Sequence, residues 1–125
     1  MTPHARRRGR DQSGQSAVEF VGWVALLLFV ALAAIQLGIV AYAAQQAGTA
    51  ARAGARVASR GGDGEAAAYA AMSGWLAGQA DVEAEAGGES AFARVSVDIP
   101  TVLPALDIGT AERTATMPVT DPPDD

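Results

Sequence analysis

Hydrophobic and polar residues divide the chain sharply. Residues 20–51 form a run of 32 without a charge. Within 18–44 the only charged residue is Glu19, and the one strongly polar internal residue is Gln36. A bilayer core of ~30 Å takes about 20 apolar residues in a helix. Residues 20–44, with no proline among them, would reach ~37 Å at 1.5 Å per residue. The pattern predicts a transmembrane helix. Residues 45–60 stay helical in character, being rich in Ala, with Arg52, Arg56 and Arg60 recurring every four residues on one face. Gly61-Gly62-Asp63-Gly64 then ends the helix. A helix from about Gln15 to Arg60 would be ~69 Å long, more than twice the bilayer core, so it continues beyond the membrane as a stalk.

The period changes after the glycines. Residues 65–79 read as a second, short helix with Tyr69, Met72 and Leu76 on one face and Trp75 adjacent, weakened by Gly74 and Gly78. Residues 82–86 alternate, as do 94–99, where Val95, Val97 and Ile99 share a face. Gly87-Gly88-Glu89-Ser90 between them fits a hairpin loop. Pro100 and Pro104 close this unit, and residues 113–119 form a third strand with Ala115, Met117 and Val119 on one side. Residues 120–125, with two Pro and three Asp, read as a polar disordered tail.

Composition narrows the function. The chain has 125 residues, no Cys and a single His, His4. These exclude a disulfide scaffold, thiol chemistry, and a His-based zinc site or Ser/His/Asp triad in a folded domain. All basic residues are Arg, which with the abundant Ala and Gly points to a GC-rich genome. The net charge of −5 is asymmetric: residues 1–14 carry Arg6, Arg7, Arg8 and Arg10 against Asp11, and nearly all other acids lie in the distal half. An acidic body does not bind nucleic acid by phosphate neutralisation. A short basic stretch ahead of a long apolar run is a topology signal, and it predicts a cytoplasmic N-terminus. Arg52, Arg56 and Arg60 on the other flank weaken that asymmetry.

Several features carry two readings. Ala34 and Gly38, and Ala50, Gly54 and Ala58, have the small-xxx-small spacing that lets helices pack closely, against simple Ala bias. Arg52, Arg56 and Arg60 fit either lipid phosphates or acids on a partner, or a solvated helix face. Ala41-Tyr42-Ala43 resembles a signal-peptidase site, but the apolar run exceeds the 7–15 residues of a signal h-region. Glu83 and Glu85 share a strand face, which fits acid–base or Ca²⁺ chemistry less well than a solvated acidic strand, since no phosphate loop, EF-hand spacing or Gly-x-Ser-x-Gly accompanies them. No cofactor, metal, small-molecule substrate or enzymatic activity is expected.

The most informative stretch is Ser13-Gly14-Gln15-Ser16-Ala17-Val18-Glu19-Phe20. A carboxylate at the mouth of an apolar helix has bland explanations: Ser16-x-x-Glu19 fits a capping box, and an acid in a first turn favours the macrodipole. The whole constellation also looks like a class III, type IV pilin-like signal: a short basic leader, Gly14, Glu19 at the fifth position after it, Phe20, and a long apolar helix. From Gly14 to about Arg56 the sequence resembles the TadE-like family of tight-adherence (Flp-type) pilus systems. The marks are Ala17-Val18-Glu19-Phe20, the apolar span, Gln36-Leu37-Gly38 and Ala51-Arg52-Ala53-Gly54-Ala55-Arg56.

The resemblance implies a minor pilin or pseudopilin of a bacterial plasma membrane. Its partners would be membrane lipids, other pilins or pseudopilins, and the pilus assembly platform. A membrane prepilin peptidase would cut after Gly14 and expose the α-amino group of Gln15. Glu19, paired with that amine or a neighbouring subunit's, would set the helix register. Two departures stand out: many members carry distal Cys, and this chain has none, and its distal region is short. The expected organisation is a leader (1–14), a transmembrane and stalk helix (15–60), a small α+β extracytoplasmic region (61–119) and a tail (120–125). The alternative is an unprocessed single-pass anchor whose extracytoplasmic head binds another envelope protein.

Overall fold

The computed structural model describes residues 8–103 and 105–120, with side chains from Gly14 onward. Arg6 and Arg7 of the basic leader, Pro104 and residues 121–125 lie outside the described residues. The elements are α1 (Arg8–Ala58), α2 (Gly64–Ala70), α3 (Gly74–Ala77), β1 (Ala80–Gly87), β2 (Ser90–Asp98) and β3 (Thr110–Pro118). The fold is a long N-terminal apolar helix followed by a small three-stranded antiparallel sheet. It forms two compact units, Met1–Ile35 and Gln36–Asp125.

The helix starts earlier than the sequence pattern predicts. It is already helical at Arg8 and Arg10 and runs through Gly14. Ser16 and Glu19 therefore lie well inside α1, and neither caps it. No proline interrupts residues 8–14, and Arg and Gln are good helix formers.

The other end stops as the glycines require. Gly61 takes a left-handed φ of 78°. Its N–H donates to the Ala58 carbonyl at 3.0 Å, and Gly62 N–H donates to the Val57 carbonyl at 3.0 Å. This pair of bonds is a Schellman motif, which occupies carbonyls the helix end would leave unpaired. Asp63 then starts α2, its side chain accepting from Ala66 N–H at 3.0 Å.

The single helix expected over residues 65–79 is two, because the chain breaks at Ser73, where the backbone is extended (ψ 143°). There the Gln46 side chain accepts the Ser73 N–H at 3.2 Å. The break still buries Met72 and Leu76, leaves Tyr69 and Trp75 partly exposed, and lets Tyr69 Oη donate to the Ala80 carbonyl at 3.2 Å.

The strands form a meander in the order β1-β2-β3. Gly87 pairs with Ser90, so the hairpin loop is Gly88-Glu89, and Gly88 supplies the positive φ (61°) that a type II′ turn needs first. All three strands are longer than the alternation predicts. Ala91, Ala93, Val95 and Val97 of β2 face inward and are fully buried. Val95 and Val97 pack with Ala43, Ala47, Ala50 and Ala51 of α1 and with Leu76 of α3. The core of the second unit is thus built largely from small side chains. Val119 N–H donates to the Glu89 carbonyl and Thr120 N–H to the Ser59 carbonyl, so Thr120 belongs to the folded unit rather than to a tail.

Candidate functional site

The N-terminal unit presents an apolar helix surface. Gly14, Gln15, Glu19 and Phe20 are all exposed on α1, as are nearly all residues through Ile35. Phe20, Trp23, Leu27, Leu28 and Phe29 are each more than half exposed. Glu19 is the only charged residue between Gly14 and Ile35. A bare apolar helix of this length is costly in water and cheap in lipid. Among the described residues α1 is the one helix long and apolar enough to cross a membrane, over Gly14–Ala58.

The small residues divide into two groups. Ala34 and Gly38 are exposed. Ala50, Gly54 and Ala58 are buried by the chain itself, which corrects the expectation that they would meet a neighbouring helix. A Cβ on Gly54 would stand 2.9 Å from the Gly64 carbonyl oxygen and 3.0 Å from the Ala93 Cβ. A Cβ on Gly64 would stand 2.7 Å from the Gly54 carbonyl oxygen. The spacing that allows close approach is used within the chain, where α1 crosses the start of α2.

Arg52, Arg56 and Arg60 are exposed. Arg52 gains a companion that the sequence reading missed. Arg113 of β3 pairs across from Val95, which puts it on the inner face of the sheet. Its aliphatic stem reaches α1 at Gly48. Arg52, Arg113, Gln45 and Thr49 line a recess of about 500 Å³. No acid lines it, so it is positively charged on an otherwise acidic unit. The sequence signal was an Arg at an inward position between Ala111 and Ala115.

Gln36 is the second residue whose role was hidden. It is 2% exposed. Its Nε2 donates to the Pro100 carbonyl at 3.1 Å, and its Oε1 accepts the Val102 N–H at 2.8 Å. The aromatic pair Tyr42–Trp75 was also missed: the rings stack at 6.1 Å with an interplanar angle of 9°.

The acids of the sheet do not assemble a catalytic pair. On its outer face Arg94 lies 3.6 Å from both Glu83 and Glu112, an exposed bridge of little energetic weight. Glu85 is exposed and pairs in register with Phe92. Among the described residues no group of His, Cys, Asp and Glu is placed to hold a metal.

The stretch that carries the bare helix, Glu19 and the Arg-rich exit matches one family model, that of TadE-like protein, over residues 14–56. The segment is TadE-like. The TadE-like match starts at Gly14, inside α1, and ends at Arg56, just before the Schellman motif. The sheet and the two short helices lie outside the TadE-like match. No curated protein and no solved structure matches the chain.

Proposed function

We propose that the chain is a TadE-like minor pilin or pseudopilin that acts structurally in assembling a Flp-type pilus or a related secretion apparatus. The observation that carries this reading is the bare apolar helix with Glu19 as its only charge between Gly14 and Ile35. In this reading the helix crosses the bacterial plasma membrane once. The Arg-rich leader stays in the cytoplasm and the sheet lies outside. Prepilin peptidase removes residues 1–14 and frees the α-amino group of Gln15. Gln15 and Glu19 are four apart on α1 and so lie on one face. An acid in a low-dielectric setting is stabilised by a paired cation, so the freed amine, its own or a neighbouring subunit's, would fix the axial register of packed subunits. The chain is then a peptidase substrate and not an enzyme.

Intact mass of the protein extracted from its native membrane tests the reading. A chain beginning at Gln15 supports it. A full-length chain favours the unprocessed anchor, a second reading that draws on the continuity of α1 through Gly14. A peptidase needs an extended substrate, so the helix must open there before cleavage.

A further inference from the structure

The loop between β2 and β3 has properties a water-exposed loop does not need. Residues 99–106 contain no charge, and Asp98 and Asp107 flank them. Val102 and Leu106 are 40% and 52% exposed. Ala105 holds a left-handed φ of 65°, a costly conformation for a residue with a Cβ, immediately before the exposed Leu106. The backbone of this loop is joined to α1 by Gln36, which binds the Pro100 carbonyl and the Val102 N–H.

We propose that Val102 and Leu106 of this loop, with the stacked Tyr42–Trp75 pair, are a second membrane contact that lies in the bilayer interface at the level of Gln36. This rests on the reading of α1 as membrane-spanning. An irregular segment near hydrocarbon must have its backbone polar groups satisfied, since each one left open costs several kcal/mol. Gln36 satisfies two of them, and Pro100 and Pro104 have no N–H to satisfy. The geometry of α1 agrees. Tyr42 is six residues beyond Gln36, ~9 Å along the axis. That is close to the thickness of one headgroup layer, the ~5–8 Å by which a bilayer exceeds its hydrocarbon core on each side. Tyr and Trp concentrate in that layer, and Tyr42 and Trp75 are 41% and 50% exposed. With the outer boundary at Gln36, residues 17–35 fill ~29 Å, matching a ~30 Å core. Residues 20–44 would overfill it and leave Glu19 outside, whereas here Glu19 falls ~3 Å inside the opposite rim.

The chain has no Cys, so single cysteines report without background. The full-length protein carrying Leu106→Cys, Leu27→Cys or Glu85→Cys is labelled with a polarity-sensitive fluorophore. Each variant is placed in phosphatidylcholine–phosphatidylglycerol vesicles doped with nitroxide high or low on the acyl chain. Loss of Leu106 fluorescence to the shallow nitroxide, of Leu27 to the deep one and of Glu85 to neither is the expected result. A Leu106 label that behaves like Glu85 while Leu27 is quenched overturns the loop contact and leaves the spanning helix standing. A Leu106 label shielded from aqueous iodide yet unquenched by lipid also overturns it, as a protein partner covers the loop instead. An unquenched Leu27 label defeats the spanning reading itself.

Discussion

At the scale of single residues, three positions concentrate the chemistry. Gly14 lies inside a helix, where glycine costs ~1 kcal/mol relative to Ala and so eases local opening. Gly14→Ala is expected to leave residues 1–14 attached, read as intact mass, because it both stiffens the helix and adds a Cβ to the cleft-bound backbone. Glu19→Gln is expected to insert normally but to co-isolate poorly with pilin partners, read by detergent pull-down against the parent chain. Gln36→Leu removes the partner of the Pro100 carbonyl and the Val102 N–H. Each buried polar group left unpaired costs about 1–3 kcal/mol, so a clear drop in the thermal midpoint in detergent follows. Gln36 was conspicuous in the sequence as a lone amide in an apolar run. Its partners were not, because they lie 64 and 66 residues away and nothing local marks them.

At the scale of elements, the helix end and the strand alternation were legible because their causes are local. Gly61 and Gly62 are the residues a Schellman motif uses, and Val95, Val97 and Ile99 face inward as a period of two requires. The break at Ser73 was not legible, since it depends on Gln46 of a different helix accepting the Ser73 N–H. Small-residue spacing was legible as close packing but silent about the partner, and here Gly54 meets Gly64 of the same chain. Gly54→Ala gains ~1 kcal/mol of helix propensity. The new Cβ, however, meets a backbone carbonyl and an Ala Cβ that cannot rotate away. Overpacking of this kind costs about 1–3 kcal/mol, so the net change is a loss of stability. A lowered thermal midpoint in detergent, with unchanged membrane insertion, checks it.

At the scale of the whole molecule, the charge division and the apolar run point to a membrane-spanning helix, and only the resemblance to the TadE-like family points to a pilus system. The TadE-like match over residues 14–56 agrees with the resemblance carried by Gly14, Glu19, Phe20 and the Arg-rich exit. A spanning helix predicts that alkaline carbonate leaves the protein in the membrane pellet and that only detergent releases it. A helix merely adsorbed to the surface would be stripped.

The alanine side of α1 is also part of the core of the second unit, and this decides how a soluble piece must be cut. Trimming at the glycines after Ala58 would strip Ala43, Ala47, Ala50 and Ala51 from Val95 and Val97 and leave an insoluble remnant. A crystallisable or antigen-grade fragment has to retain the helix from Gln36 onward, so what looks like a removable tether is partly the floor of the domain it carries.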